Sequence, residues 1–333
     1  MTSLVVQTAF LGDVVLTTPL LAALAARDGP VDVVTTPAAA PLVETLAAVR
    51  RVIPFDKRGR DRGLSGLFAL ARELRAARYD AAYLPHRSLR TAALAWLAGI
   101  PKRVGFREGW PLLYTEVRAR PPAAHEIDRL LALADVAPGR DRPALAITAA
   151  DRAAVDRFLA AHGIHEPFVA LAPGAIWGTK RWPYYAALAA RLAARVAIVV
   201  VGGPEDAALA AEVTTAVGQH GGHAASACGA LSLRQAAEVI RRAALLVTND
   251  SAPLHLAQAV ATPTIAIFGS TVPAFGFGPR GARDQIVELA LECRPCSAHG
   301  PPTCPLGHHR CMRALDVPRV WTAIEAAGAL PEP

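Results

Sequence analysis

The residues best suited to chemistry sit where apolar runs end. One such run, ending in Phe168-Val-Ala-Leu-Ala172, gives way to Pro173-Gly-Ala-Ile-Trp-Gly-Thr-Lys-Arg-Trp-Pro183. Gly174 and Gly178 let backbone come close to a ligand. Lys180 is a flexible point charge of the kind that suits phosphate. Pro183 reads as the first turn of a following helix, whose free N–H groups and partial positive charge add to an anion site. The pattern is that of a diphosphate seat. The plain alternative is a turn whose Lys180 and Arg181 face water. Of 35 cationic residues only Lys57, Lys102 and Lys180 are lysines. That scarcity favours the first reading for Lys180; Arg181 stays open between the two.

A second stretch, Asn249-Asp-Ser-Ala-Pro-Leu-His255, follows another apolar run. Asn249, Asp250 and Ser251 are strong helix-capping types and Pro253 fits a first turn. Ser251, the amides of residues 251–253 and His255 would also make an anion site at the strand ends. For His255 a packed histidine is the equal alternative. Gly269-Ser-Thr271 closes the next turn with further amides and hydroxyls. In Gly202-Gly-Pro-Glu-Asp206, Glu205 or Asp206 suits a ribose hydroxyl, or simply a helix N-terminus, which is the better single reading. Asp13 follows the first apolar strand. A carboxylate there is a candidate general base, or an N-cap for a helix beginning at Val14.

Cys293, Cys296, Cys304 and Cys311 fall within nineteen residues, with His299, His308 and His309 nearby. Such a cluster suggests a structural zinc site, although only one Cys-x-x-Cys is present; a reduced thiol-rich loop is the alternative. The chain has no Asp-x-Asp to hold a magnesium diphosphate. It also lacks a Gly-x-Gly-x-x-Gly after the first strand and a Walker loop. Both absences count against a dehydrogenase or a P-loop kinase.

These residues need a frame of alternating strands and helices. In the first half, strands are expected at 3–9, at Pro30-Val-Asp-Val-Val-Thr-Thr-Pro37, at 79–85 and at Lys102–Phe106. Helices are expected at Val14–Ala26, with Pro19 near its start, at 64–78, and at Ser88–Ile100. Residues 135–148 hold Pro, Gly and charge without periodicity and read as a domain junction. The second half repeats the rhythm: helix 149–163, strand 167–172, helix 183–194, strand 196–201, helix 206–217, a weak strand near 223–228, helix 232–243, strand 244–248, helix 253–260 and strand 263–268. This alternation predicts two doubly wound α/β domains, with parallel sheets and ligands at the carboxyl ends of the strands.

Bulk properties set the limits. A chain of 333 residues that is 53% hydrophobic is long enough for two cored domains. No apolar run reaches the ~18 residues of a membrane helix. The first nineteen residues lack a basic start and carry Asp13, which argues against a signal peptide. An odd cysteine count argues against a disulfide scaffold, so a cytoplasmic protein is expected. Residues 1–145 carry 20 Lys+Arg against 14 Asp+Glu, and the remainder 15 against 14. The basic half, with its run Arg50-Arg-Val-Ile-Pro-Phe-Asp-Lys-Arg-Gly-Arg-Asp-Arg-Gly63, suits phospholipid, phosphorylated lipid or nucleic acid. A solvated loop is the equal alternative for that run alone.

Taken together, Asp13 in Gly-Asp-Val-Val-Leu-Thr-Thr-Pro, the 173–183 turn, the 249–271 segment and the cysteine segment resemble glycosyltransferase family 9. The likeness is strongest to the ADP-heptose–lipopolysaccharide heptosyltransferases that add a second heptose, and runs from the first strand to about residue 325. The resemblance implies a GT-B fold of two facing Rossmann-like domains with a cleft between them. Residues 1–145 would take an anionic glycolipid acceptor. Residues 146–333, with the Cys-rich loop and a C-terminal helix, would take ADP-heptose. It implies inverting transfer with no metal at the reacting centre, with zinc, if any, structural. Asp13 would be the base and Lys180 the stabiliser of the leaving diphosphate. Gly174, Thr179, Lys180, Glu205, Asp250, Ser251, Ala252 and His255 would bind the donor. Relatives often carry Thr-Gly where this chain has Ser251-Ala252. Peripheral contact with the cytoplasmic face of the inner membrane follows, with no nucleic acid partner. Other readings are a family 9 transferase with another nucleotide sugar or acceptor, an epimerase of similar fold, or a nucleotide-sugar-binding protein without turnover.

Overall fold

The computed structural model describes residues 1–139 and 141–330. Arg140, inside the expected junction, and residues 331–333, at the end of the second expected domain, lie outside the described residues. The chain forms two compact units, Met1–Ala146 and Ile147–Pro333.

The first unit runs β1 (Ser3–Val6), α1 (Leu11–Asp28), β2 (Val31–Thr35), α2 (Ala40–Val43), β3 (Val49–Pro54), α3 (Gly63–Ala77), β4 (Ala81–Leu84), α4 (Leu89–Leu97), β5 (Lys102–Phe106), β6 (Glu116–Arg118) and α5 (Glu126–Leu131). Its six strands form one parallel sheet in the order β3-β2-β1-β4-β5-β6. β1, β2 and β4 are buried on both faces, as strands sandwiched between helices must be. α3 docks through Leu67, Leu70, Ala71 and Leu74, one stripe at 3–4 spacing.

Several boundaries differ from the sequence reading for local reasons. α1 starts three residues before Val14, so Pro19 lies inside it. Proline cannot donate to the carbonyl four residues back; the Thr18 hydroxyl donates to that Val15 oxygen instead, at 2.8 Å. Part of the basic run is strand rather than loop, since Arg50 and Arg51 belong to β3 at the sheet edge. Arg50 forks onto the buried carboxylate of Asp32 with two bonds of 2.9 Å, and the Tyr79 hydroxyl donates to the same carboxylate at 2.6 Å. Charged side chains on an edge strand also discourage pairing with other chains. The short edge strand β6 was not foreseen, because Glu-Val-Arg carries no apolar run.

The second unit runs α6 (Ala149–Ala161), β7 (Phe168–Ala172), α7 (Tyr185–Leu192), β8 (Ala197–Val200), α8 (Ala207–Gln219), β9 (Ala224–Ser226), α9 (Leu233–Arg242), β10 (Leu245–Asn249), α10 (Ala252–Val260), β11 (Thr264–Phe268), β12 (Gln285–Glu288), α11 (Arg310–Arg313) and α12 (Val317–Ala327). The sheet is again parallel and six-stranded, in the order β12-β11-β10-β7-β8-β9. Four or five strands were expected here; β12 was missed for the same reason as β6. β7, β10 and β11 are central and fully buried. The turns after these three strands therefore meet at one edge of the sheet.

Candidate functional site

That edge gathers the motifs. Lys180 lies on a single 3-10 turn, Gly178–Lys180, and α7 begins only at Tyr185. The expected helix start at Pro183 is thus displaced. Lys180 instead meets the turn after β10: its Nζ is 2.6 Å from Asp250 Oδ2. The Thr271 hydroxyl, from the turn after β11, donates to the same Asp250 oxygen at 2.6 Å. The Lys180 and Asp250 side chains are 12% and 10% exposed. One cation from β7's turn, one carboxylate from β10's and one hydroxyl from β11's make a nearly buried triad. An ammonium carries three donor hydrogens, and Asp250 takes one.

The residues expected to cap α10 are used differently. Ser251 occupies the cap position, yet its side chain makes no capping bond. Asn249 is fully buried. Its amide nitrogen donates to the carbonyl oxygens of Pro173 at 2.8 Å and Gly174 at 3.3 Å. Its amide oxygen accepts from the Trp182 N–H at 3.2 Å and the Tyr185 hydroxyl at 3.3 Å. Asn249 thereby clamps both ends of the Lys180 turn. Sequence reading saw only a capping residue, since these partners are more than sixty positions away.

Other donor-site candidates divide. Ser251 and Ala252 are partly exposed at the start of α10. Thr179 is buried, and its hydroxyl is engaged with Ser270 Oγ at 2.9 Å and the Pro301 carbonyl at 2.6 Å. It holds the turn rather than opening toward a ligand. His255 is buried beside the Phe277 ring, at 6.2 Å between centroids, the packed alternative. Glu205 is exposed, whereas Asp206 is buried. The Asp206 carboxylate accepts the Gly203 N–H at 3.1 Å, and burial raises its pKa. A Cβ on Gly174 would fall within 3.0 Å of that carboxylate. Gly174 is glycine to admit Asp206.

The cysteine segment straps this edge. Arg294 donates to the carbonyls of Phe268, Gly269, Leu289 and Thr271, the last at 2.7 Å. Cys296 N–H donates to Ser270 O at 2.8 Å, and His309 Nε2 lies 3.1 Å from Thr179 O. All five cysteines are free. Among the described residues, no three His, Cys, Asp or Glu side chains are gathered to hold a metal. Cys311 is packed in the core. Burial pushes the Cys304 thiol up, but the N–H groups of residues 306–309 outweigh it and hold it below its ordinary pKa.

In the first unit Asp13 is the third residue of α1, not its cap, and its carboxylate accepts the Phe10 N–H at 3.1 Å. On the same carboxyl edge, Lys57 Nζ donates to Thr8 O at 2.6 Å. Burial lowers the Lys57 pKa, with Arg58 and Arg90 adding to the effect. His86 follows β4, and its Nδ1 is buried without a hydrogen-bond partner among the described residues. Burial, then Lys57 and Arg87, lower its pKa to about 4. Lys57, Arg87 and Arg90, with the neutral His86 among them, thus form a cationic neighbourhood on this carboxyl edge. The basic run 50–63 points to Lys57, and the His86-Arg87 pair after the strand Ala81–Leu84 is the sequence signal for the rest.

Two doubly wound units, with a cation-bearing turn at the strand ends of one, are the GT-B architecture of nucleotide-sugar transferases. The glycosyltransferase family 9 (heptosyltransferase) model matches residues 67–305, and the chain belongs to that family. It is 26% identical over 295 residues to lipopolysaccharide heptosyltransferase 2 of Escherichia coli (strain K12), covering 82% of this chain and 84% of that one. It is 30% identical over 254 residues to lipooligosaccharide heptosyltransferase 2 of Haemophilus influenzae, covering 71% and 73%. The solved structure of Escherichia coli ADP-heptose lipopolysaccharide heptosyltransferase II superposes with a TM-score of 0.81 at 25% identity, covering 98% of each chain.

Two outcomes follow. Gly174→Ala forces Asp206 or the turn to move and costs about 1–3 kcal/mol of stability; thermal melting and ADP titration should both weaken, and an unchanged melt would remove the steric role. For His86, the unfolded state protonates near pH 6.5 and the folded state only near pH 4. The unfolded chain therefore binds more protons in that window, and stability is lost as pH falls through it. The difference in Tm between wild type and His86→Asn should change progressively from pH 6.5 to 4 and stay flat above 7.

Proposed function

We propose that this chain transfers heptose from ADP-L-glycero-D-manno-heptose to the lipopolysaccharide inner core, on an acceptor of the lipid A–Kdo–heptose type, with inversion at the anomeric carbon. The observation that carries the reading is the Lys180–Asp250–Thr271 triad, which lies within the segment matched by the family model. Relatives named for heptosyl transfer over most of this chain support the donor sugar.

In this reading an acceptor hydroxyl attacks the anomeric carbon while Asp13 takes its proton. The bond from that carbon to the diphosphate oxygen breaks, and ADP leaves with the electron pair. Lys180 meets the charge that develops on the leaving diphosphate, with amides at the start of α10 beside it. Asp250 aims the ammonium, Thr271 holds the Asp250 carboxylate, and Asn249 holds the turn that carries Lys180. This arrangement asks for no metal at the reacting centre. Lys57, Arg87 and Arg90 meet anionic groups of the acceptor. A glycolipid acceptor places the protein at the cytoplasmic face of the inner membrane as a peripheral protein. Among the described residues no helix is long and apolar enough to cross a membrane.

Calorimetric titration without metal should show ADP binding and little UDP binding; a preference for UDP would discard heptose while keeping the transferase mechanism. Asp13→Asn should leave ADP affinity within a factor of about two and lower turnover by ~100-fold or more. Lys180→Ala should weaken both, by about 3 kcal/mol at the transition state. Normal turnover in either variant removes that residue from its role.

A further inference from the structure

The exposed large apolar side chains are unevenly shared. Among the described residues ten of thirteen lie in the first unit, and two of them, Leu64 and Phe68, stand one turn apart on the outer face of α3. They are 69% and 54% exposed. Leu89, at the start of α4, is 49% exposed. Arg90 next to it donates to Gly63 O at 2.7 Å, which ties the two helix starts together. α3 already has a buried stripe in Leu67, Leu70, Ala71 and Leu74. Leu64 and Phe68 are therefore surplus to the core and point away from it.

Charge surrounds this apolar tip. Residues 51–100 carry 10 Lys+Arg against 4 Asp+Glu, which accounts for the whole excess of the first half. Arg58, Arg60, Arg62 and Arg72 are exposed on the loop before α3 and along its outer face. Arg60 pairs with Asp61 at 3.2 Å; Arg58, Arg62 and Arg72 make no ion pair among the described residues. A tip of three apolar side chains falls short of the roughly 20–30 residues a side that a stable protein interface engages. It fits a bilayer surface, where a few apolar side chains enter the acyl boundary and cations meet anionic headgroups.

We propose that the start of α3, with Leu64 and Phe68 at its tip and Leu89 beside it, docks this protein on an anionic membrane. The proposal rests on the reading of the acceptor as a glycolipid and says which surface meets the bilayer. The β3–α3 turn lies at the same carboxyl edge as Asp13, Lys57 and His86. Docking there brings a membrane-held acceptor to that edge without lifting it from the lipid.

The test is co-sedimentation of the full chain with phosphatidylcholine vesicles, with and without 30% phosphatidylglycerol. Binding should require phosphatidylglycerol and fall steeply as salt rises from about 0.05 to 0.3 M. A Leu64→Ser/Phe68→Ser double variant should bind ~10-fold more weakly, with wild-type melting and wild-type ADP titration. Arg62→Ser/Arg72→Ser should lose most of the phosphatidylglycerol dependence. No vesicle binding by the wild type, equal binding to neutral vesicles, or undiminished binding by the Leu64/Phe68 variant would overturn the proposal. Transfer to a de-acylated, soluble acceptor separates the two ideas. That activity should survive in both variants, and its absence from the wild type would defeat the transferase reading while the vesicle result stood by itself.

Discussion

The ion pair between Lys180 and Asp250 is the constraint on which the second unit's working edge depends. Each partner comes from a different strand end, and both are nearly buried. Removing one partner of such a pair leaves an uncompensated buried charge, at a cost of about 3–5 kcal/mol. The sheet must therefore hold β7, β10 and β11 side by side, in that parallel register, before the pair can form. Thr271 completes the carboxylate's shell, and Asn249 fixes the turn that carries the lysine. A ligand diphosphate would meet a cation that is already aimed, without waiting for a flexible side chain to be ordered.

The cysteine segment gains its meaning from the same edge. Its carbonyl-binding Arg294 and its contacts to Thr179 and Ser270 brace two of the three turns. Read as sequence, its four cysteines suggested a metal. In the fold, one thiol is in the core, one is held by backbone N–H groups, and the segment's stabilising contacts are made by Arg294, His309 and backbone. That bracing is hydrogen-bonded.

The two units divide chemical character as well as chain. The first has the excess of cations and most of the exposed large apolar residues; the second has a nearly buried ion pair at its working edge. A soluble nucleotide is well served by an enclosed site with satisfied partners. An amphipathic, anionic acceptor is better served by an open cationic edge and a surface that tolerates lipid.

Much of the architecture was legible in order along the chain. Buried parallel strands such as Phe168–Ala172 and Thr264–Phe268 are continuous apolar runs, and α3 shows its 3–4 stripe, because periodicity is a local property of the sequence. The glycine and lysine of the 173–183 turn and the acidic pair at 205–206 were visible for the same reason. What tertiary structure decided was partnership. Asn249 clamps a turn instead of capping a helix, Asp250 pairs with Lys180, Asp206 rather than Glu205 is the buried carboxylate, and Thr179 and His255 are packed rather than open. Each of these depends on contacts between residues far apart in the chain, which the sheet order creates and which no local pattern encodes. The edge strands β6 and β12 escaped notice because pairing, not hydrophobicity, makes them strands.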